Sequence, residues 1–174
     1  QGAAIDLGLF FLSGSKCGRF NPKDNNLYVV GLNGWQTAAR RDGCLQRVRA
    51  TGLPFRTLSD WQTTKSGVKL TFSVPINATA ASDPARWTVN AWNYVWSADY
   101  GSKHWSAADP RKQGEDTWLV ERAEVSPDGL SVTLTIRGWR PVMSVRVKYA
   151  LPAADGGAPL AGTVWGTVNR LAAK

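Results

Sequence analysis

Val68-Lys-Leu-Thr-Phe-Ser-Val74 decides the fold. Every second residue is apolar, so Val68, Leu70, Phe72 and Val74 share one face of an extended chain, while Lys69, Thr71 and Ser73 share the other. That is a strand covered on one side. The signature recurs outward in both directions. Leu27 to Val30 follows the turn-forming Asn21-Pro-Lys-Asp-Asn-Asn26, and Leu45 to Ala50 alternates apolar with polar. Trp87 to Trp96 reads as one long aromatic strand or a pair of them. Leu119 to Val125 and Leu130 to Ile136 flank Ser126-Pro-Asp-Gly129, a hairpin-type connection. Val142 to Tyr149 and Thr163 to Val168, separated by the Asp155-Gly-Gly157 turn, complete the set. Only Ala78 to Arg86 reads as a helical turn. About eight short strands with dense turn chemistry predict an all-β fold, an antiparallel β-sandwich.

Nine tryptophans stand in 174 residues. Each indole buries roughly 150–250 Å² and its N–H wants a partner, so a small core cannot hide them all. Trp87, Trp139 and Trp165 fall on strand alternation and read as core or layer-sealing residues. Trp92, Tyr94 and Trp96 share parity and would line one sheet face. The chain carries 21 Lys and Arg against 13 Asp and Glu, a formal charge of +8. That balance favours acidic partners. No basic run reaches five residues, and a solvated basic sheet face accounts for the alternation of charge with apolar residues.

Cys17 and Cys44 are an even pair outside any metal or haem motif, and the single histidine, His104, cannot complete a zinc site. They are a disulfide or two buried thiols. The disulfide is the expectation, and with it an oxidising compartment. The longest apolar stretch, Ile5 to Leu12, is broken by Asp6 and Gly8 and falls short of the roughly 20 residues that span a bilayer as a helix. With Gln first and no basic segment before that stretch, the expectation is a mature or trimmed chain without a targeting segment.

Residues 97–117 are polar, with Tyr100, His104, Trp105 and charges of both signs. A connection of about twenty residues in a sandwich is uncommon, and is either functional or a mobile insert.

Three stretches carry a resemblance. Val68-Lys-Leu-Thr-Phe-Ser-Val-Pro-Ile76, Asp83-Pro84 with Trp87-Thr-Val89, and Ser126-Pro-Asp-Gly-Leu-Ser-Val-Thr-Leu134 resemble the bacterial Ig-like β-sandwich repeat. Arg19-Phe-Asn-Pro-Lys-Asp24, Leu27-Tyr-Val-Val-Gly-Leu-Asn-Gly-Trp-Gln36 and Asp42-Gly-Cys-Leu-Gln-Arg-Val48 are similar to a junction. There a sugar-dehydrogenase-like β-propeller ends and an Ig-like domain begins, in secreted or periplasmic proteins that often also carry a cytochrome c domain. Trp92-Asn-Tyr-Val-Trp96, Tyr100-Gly101, Asp109-Pro110 and Arg140-Pro-Val-Met143 look like that terminal domain. The resemblance spans about residues 19–171. It implies an N-terminal extension over 1–50 and an Ig-like sandwich over 51–174, in an extracytoplasmic setting. The chain has at most part of one propeller blade and no Cys-x-x-Cys-His, so the family's oxidoreductase chemistry does not carry over.

The chemical candidates are few. His104 reads as a surface or hydrogen-bonded histidine by default, near Asp99 and Asp109 in sequence. Met143 reads as a core methionine in the absence of a haem motif. Glu115 with Asp116, and Glu121 with Glu124, show no spacing that nominates a glycosidase pair. Asn77-Ala-Thr79 matches a glycosylation sequon, a weak pattern. The binding candidates are therefore aromatic: Trp92, Tyr94, Trp96, Tyr100 and Trp105, as a protein interface or a sugar platform. The expected function is a non-enzymatic accessory module that docks onto a larger assembly. The family association points to the periplasmic face of a membrane-bound electron-transfer complex. No metal or cofactor is expected. A carbohydrate-binding module and a small enzyme using His104 are the rivals, and nucleic acid ranks last.

Overall fold

Alternation along Val68–Val74 becomes a strand paired on both sides. The computed structural model describes residues 2–34, 39–98 and 100–172. Strand accounts for 48% and helix for 4%. In chain order the strands are β1 (Gly2–Ile5), β2 (Gly14–Phe20), β3 (Leu27–Leu32), β4 (Gly43–Val48), β5 (Leu58–Thr63), β6 (Gly67–Phe72), β7 (Trp87–Trp92), β8 (Asp116–Trp118), β9 (Val120–Val125), β10 (Ser131–Ile136), β11 (Val142–Leu151) and β12 (Leu160–Val168). Between β6 and β7 lie α1 (Ala78–Ala81) and a 3-10 turn at Pro84–Arg86. The Asn77 side chain caps α1 by accepting from the Ala80 N–H at 2.9 Å, and the Asp83 carboxylate caps the 3-10 turn through the Ala85 N–H.

The chain divides into two units, residues 7–53 and residues 1–6 with 54–174. The larger is the sandwich. One sheet runs β5-β6-β10-β9; the other runs β1-β12-β11-β7-β8. All pairings are antiparallel. Lettered from β5 as A, these are A-B-E-D and G-F-C-C′, the immunoglobulin-type arrangement, with β1 added beside G. Residues 2–5 therefore belong to the sandwich sheet, not to the N-terminal extension expected over 1–50.

One core joins the two inner faces. Leu70, Val132 and Leu134 from one sheet and Val89, Val145, Val147 and Val164 from the other are fully buried. Each such side chain contributes about 1.5–3 kcal/mol relative to exposure. The Trp87 indole N–H donates to the Ala81 carbonyl at 2.9 Å, which ties α1 to the core edge. Trp139 is buried edge-on to Trp118, whereas Trp165 is 42% exposed. Trp165 pairs with Arg146 across β11, on the solvent face of its sheet, so it is not a core residue.

Two bulges interrupt the alternation, in β5, which the sequence reading misses, and in β9. In β5 the register skips Ser59, so Leu58 pairs with Phe72 and Trp61 with Leu70. Leu58 and Trp61 thus share the core face though three apart. In β9 the register skips Glu121, which puts Val120 and Ala123 on one face.

The smaller unit is a three-stranded meander, β2-β3-β4. Its Cys17 and Cys44 are both unpaired thiols, contrary to the disulfide expected from sequence. The topology forbids the bond. Cys17 pairs with Val30 and Cys44 with Gly31, so β3 lies between them. Two strand spacings are about 9.5 Å, beyond the roughly 7 Å that a disulfide bridges. Val30 and Gly31 are also adjacent residues, so the two thiols point to opposite faces. The Ser13 hydroxyl donates to the Cys44 sulfur at 2.9 Å. With both thiols free, the cysteines do not point to an oxidising compartment.

Candidate functional site

The segment 97–117 lies at the end of β7 and β8. Where β7 stops at Trp92, Asn93 and Trp105 exchange backbone bonds of 2.7 and 2.8 Å, and Trp105 also bridges to Gln113. Ser106 donates its hydroxyl to Asp116 at 2.7 Å and accepts from the Ala108 and Asp109 N–H groups. The other Asp116 oxygen accepts from Ala108 N–H at 2.9 Å. The Arg111 guanidinium holds the Asp109 carboxyl below its usual range. Residues 104–116 thus form a lobe tied by hydrogen bonds of its own and joined to Asn93 through Trp105.

Trp92 fastens this lobe. By register it lies on the outer face of its sheet, opposite Ser144 of β11, yet it is only 8% exposed. The His104 ring stacks on it with centroids 4.5 Å apart, and the Arg146 guanidinium carbon lies 5.4 Å from the indole centroid. Glu115 joins the His104 and Arg146 side chains, one oxygen 3.0 Å from His104 Nδ1 and the other accepting from Arg146 Nη2 at 2.5 Å. His104 is thereby a hydrogen-bonded histidine in a positioning arrangement. Asp99, its other sequence neighbour, lies outside the described residues.

Tyr94, Trp96 and Tyr100 face water, whereas Trp105 is half-buried. Trp96 is 98% and Tyr100 99% exposed, and Tyr94, Val95 and Met143 are each about half exposed. They line two adjoining clefts that share Val95, Ser97, Tyr100, Gly101 and Ser102. One, of about 510 Å³, adds Lys103, Trp105 and Gln113. The other, of about 700 Å³, adds Tyr94, Trp96 and Met143. Gly101, at φ +80°, allows the turn between them.

Four of the five aromatics named from sequence therefore meet at one place, and Trp92 does not. The shared parity of Trp92, Tyr94 and Trp96 does not form a strip, because strand geometry ends at Trp92. Met143, expected in the core, is a cleft wall. Its N–H donates to the Asn93 side chain at 3.0 Å, and its sulfur accepts from Tyr94 N–H at 3.4 Å. Nothing local in the sequence marks it, since the pairing of β11 with β7 brings it there across some fifty residues. The clefts offer aromatic faces for stacking, a Lys103 ammonium, and hydrogen-bonding groups at Ser102 and Gln113. Among the described residues no cluster of three His, Cys, Asp or Glu is placed to hold a metal ion, and no helix is long and apolar enough to cross a membrane. Set beside models of known protein families, curated proteins and solved structures, the chain matches none.

Proposed function

We propose that this chain is a non-catalytic docking module, its Ig-like sandwich presenting Tyr94, Trp96, Tyr100 and Trp105 to a protein partner. One observation carries this reading: Trp96 and Tyr100 are almost fully solvated beside a lobe that is otherwise tied by hydrogen bonds. Large aromatics held in water stabilise nothing in the free protein, and they are the side chains that dominate interface energetics. Lys103 beside the cleft and the charge of +8 favour an acidic partner face. The proposed setting is extracytoplasmic, as an accessory part of a larger assembly such as a membrane-bound electron-transfer complex. Sequence resemblance alone motivates that setting.

Native copurification followed by titration tests the reading. Trp96→Ala or Tyr100→Ala should weaken the partner's binding by about 2 kcal/mol or more, roughly thirtyfold. Raising salt should slow association more than it speeds dissociation. Affinity unchanged by either substitution overturns it. A second reading is favoured by the cleft itself, where Tyr100 and Trp105 stand with Ser102, Lys103 and Gln113. That combination of stacking and hydrogen-bonding groups suits a saccharide, and a polysaccharide pull-down separates the two.

A further inference from the structure

Taken by itself, the meander of residues 7–53 has one face partly covered by its own segments, with Phe20 at its end left exposed, and one face bare. On the covered face Val29 is 6% exposed, Ser13 is buried against Cys44, and the Gln46 side chain accepts from the Leu12 N–H at 2.7 Å. Val29 is the one buried hydrophobic among the described residues of this unit. On the opposite face, register sets three rows across the sheet: Arg19–Tyr28–Arg47, Cys17–Val30–Leu45 and Gly14–Leu32–Gly43. Its apolar centre lies in water, with Val30 41%, Leu32 47% and Leu45 70% exposed. Three strands need a covered hydrophobic face to hold together, and a unit of this size has little core to spare.

We propose that this bare face is a second docking surface, and that its occupant is a protein face apolar at its centre and acidic at its rim. A sheet face with an apolar centre suits another protein face, such as a sheet packing about 10 Å away. Charge selects the occupant. Residues 7–53 hold seven Lys and Arg against two Asp. A second copy of this chain would set that excess against itself, whereas carboxylates opposite Arg19 and Arg47 would be neutralised. The Tyr28 hydroxyl donates to Asp24 at 2.9 Å, whose carboxylate also feels the Arg47 charge, and Arg19 and Arg47 are both exposed at the two ends of that row.

The test places the photo-crosslinking residue p-benzoylphenylalanine at position 45, or at position 60 in the other unit as control, in the full chain within the cells that make it. Position 45 should capture one protein, and mass spectrometry should map the crosslink to an apolar segment flanked by Asp or Glu. Arg19→Glu with Arg47→Glu should cut its yield at least tenfold. Arg19→Lys with Arg47→Lys should retain it. Circular dichroism of each variant should match the parent. Crosslinks to a second copy, to lipid alone, to a protein without an acidic rim, or no more than at position 60 would each overturn the proposal. Trp96→Ala leaves the position 45 crosslink in place, so this surface and the aromatic cleft are judged separately.

Discussion

Alanine at Trp96 and alanine at Trp92 should have opposite consequences for the free protein, although the two residues lie four positions apart. Trp96 is 98% exposed, so its removal deletes almost no packing and should change stability by no more than about 0.5 kcal/mol. Trp92 is 8% exposed, stacked on His104 and beside the Arg146 guanidinium. A buried indole of roughly 200 Å² at about 25 cal/mol per Å² is about 5 kcal/mol of transfer free energy. Measured Trp→Ala losses fall at about 3–5 kcal/mol. Because Trp92 lies under a lobe that can settle into the gap, the low end applies, about 3 kcal/mol. For a protein of this size that lowers the transition by about 6–12 °C. Differential scanning calorimetry of the full chain reads both values, and limited proteolysis between residues 97 and 115 should quicken only in Trp92→Ala. Equal shifts, or a larger loss at Trp96, would refute the assignment of Trp92 as fastener and Trp96 as contact.

Three further outcomes follow from the geometry. Iodoacetamide without reductant should label both cysteines, the exposed Cys17 faster than the half-buried Cys44; a doubly protected chain would reinstate the disulfide. Gly67→Ala should destabilise by about 3 kcal/mol in urea melts, because an added Cβ would meet the Leu134 carbonyl of the paired strand at 1.9 Å; an unchanged midpoint would refute the register. Arg56 holds the Asp155 carboxyl down at about 2 from an ordinary 3.8. A depressed carboxylate contributes stability that is present above about pH 4 and lost as pH falls toward 2. Asp155→Asn should therefore flatten that acid limb, and a steeper limb in the variant would contradict the pairing.

Much of the sandwich is legible in the chain, and the exceptions have physical causes. Val68 to Phe72, Ser131 to Ile136 and the Ser126–Gly129 turn read correctly, because alternation and turn chemistry are local. There the Asp128 carboxylate accepts from the Leu130 N–H at 2.9 Å, and Gly129 sits at φ +68°. Strand β5 escapes notice because its bulge puts Leu58 and Trp61 three apart on one face. Strand β2 escapes because Gly14-Ser-Lys-Cys-Gly-Arg-Phe20 carries few apolar residues and no clean alternation. The aromatic cluster is legible as composition, since Tyr94, Trp96, Tyr100 and Trp105 are visible as a surplus. Its wall at Met143 is not, because the pairing of β11 with β7 brings it from some fifty residues away.

By itself the amino-acid sequence determined an antiparallel all-β chain: period-two alternation, glycine and proline turns and scarce helical periodicity are properties of neighbouring residues. Only the tertiary structure decided which tryptophans meet water. Trp92 and Trp96 have the same parity and chemistry, and differ because a lobe held by Glu115, Arg146 and His104 covers one and not the other. It also decided the fate of the cysteines, which an even count pairs but an intervening strand keeps apart. Contacts between residues far apart in the chain set burial and reach, and no local pattern encodes them.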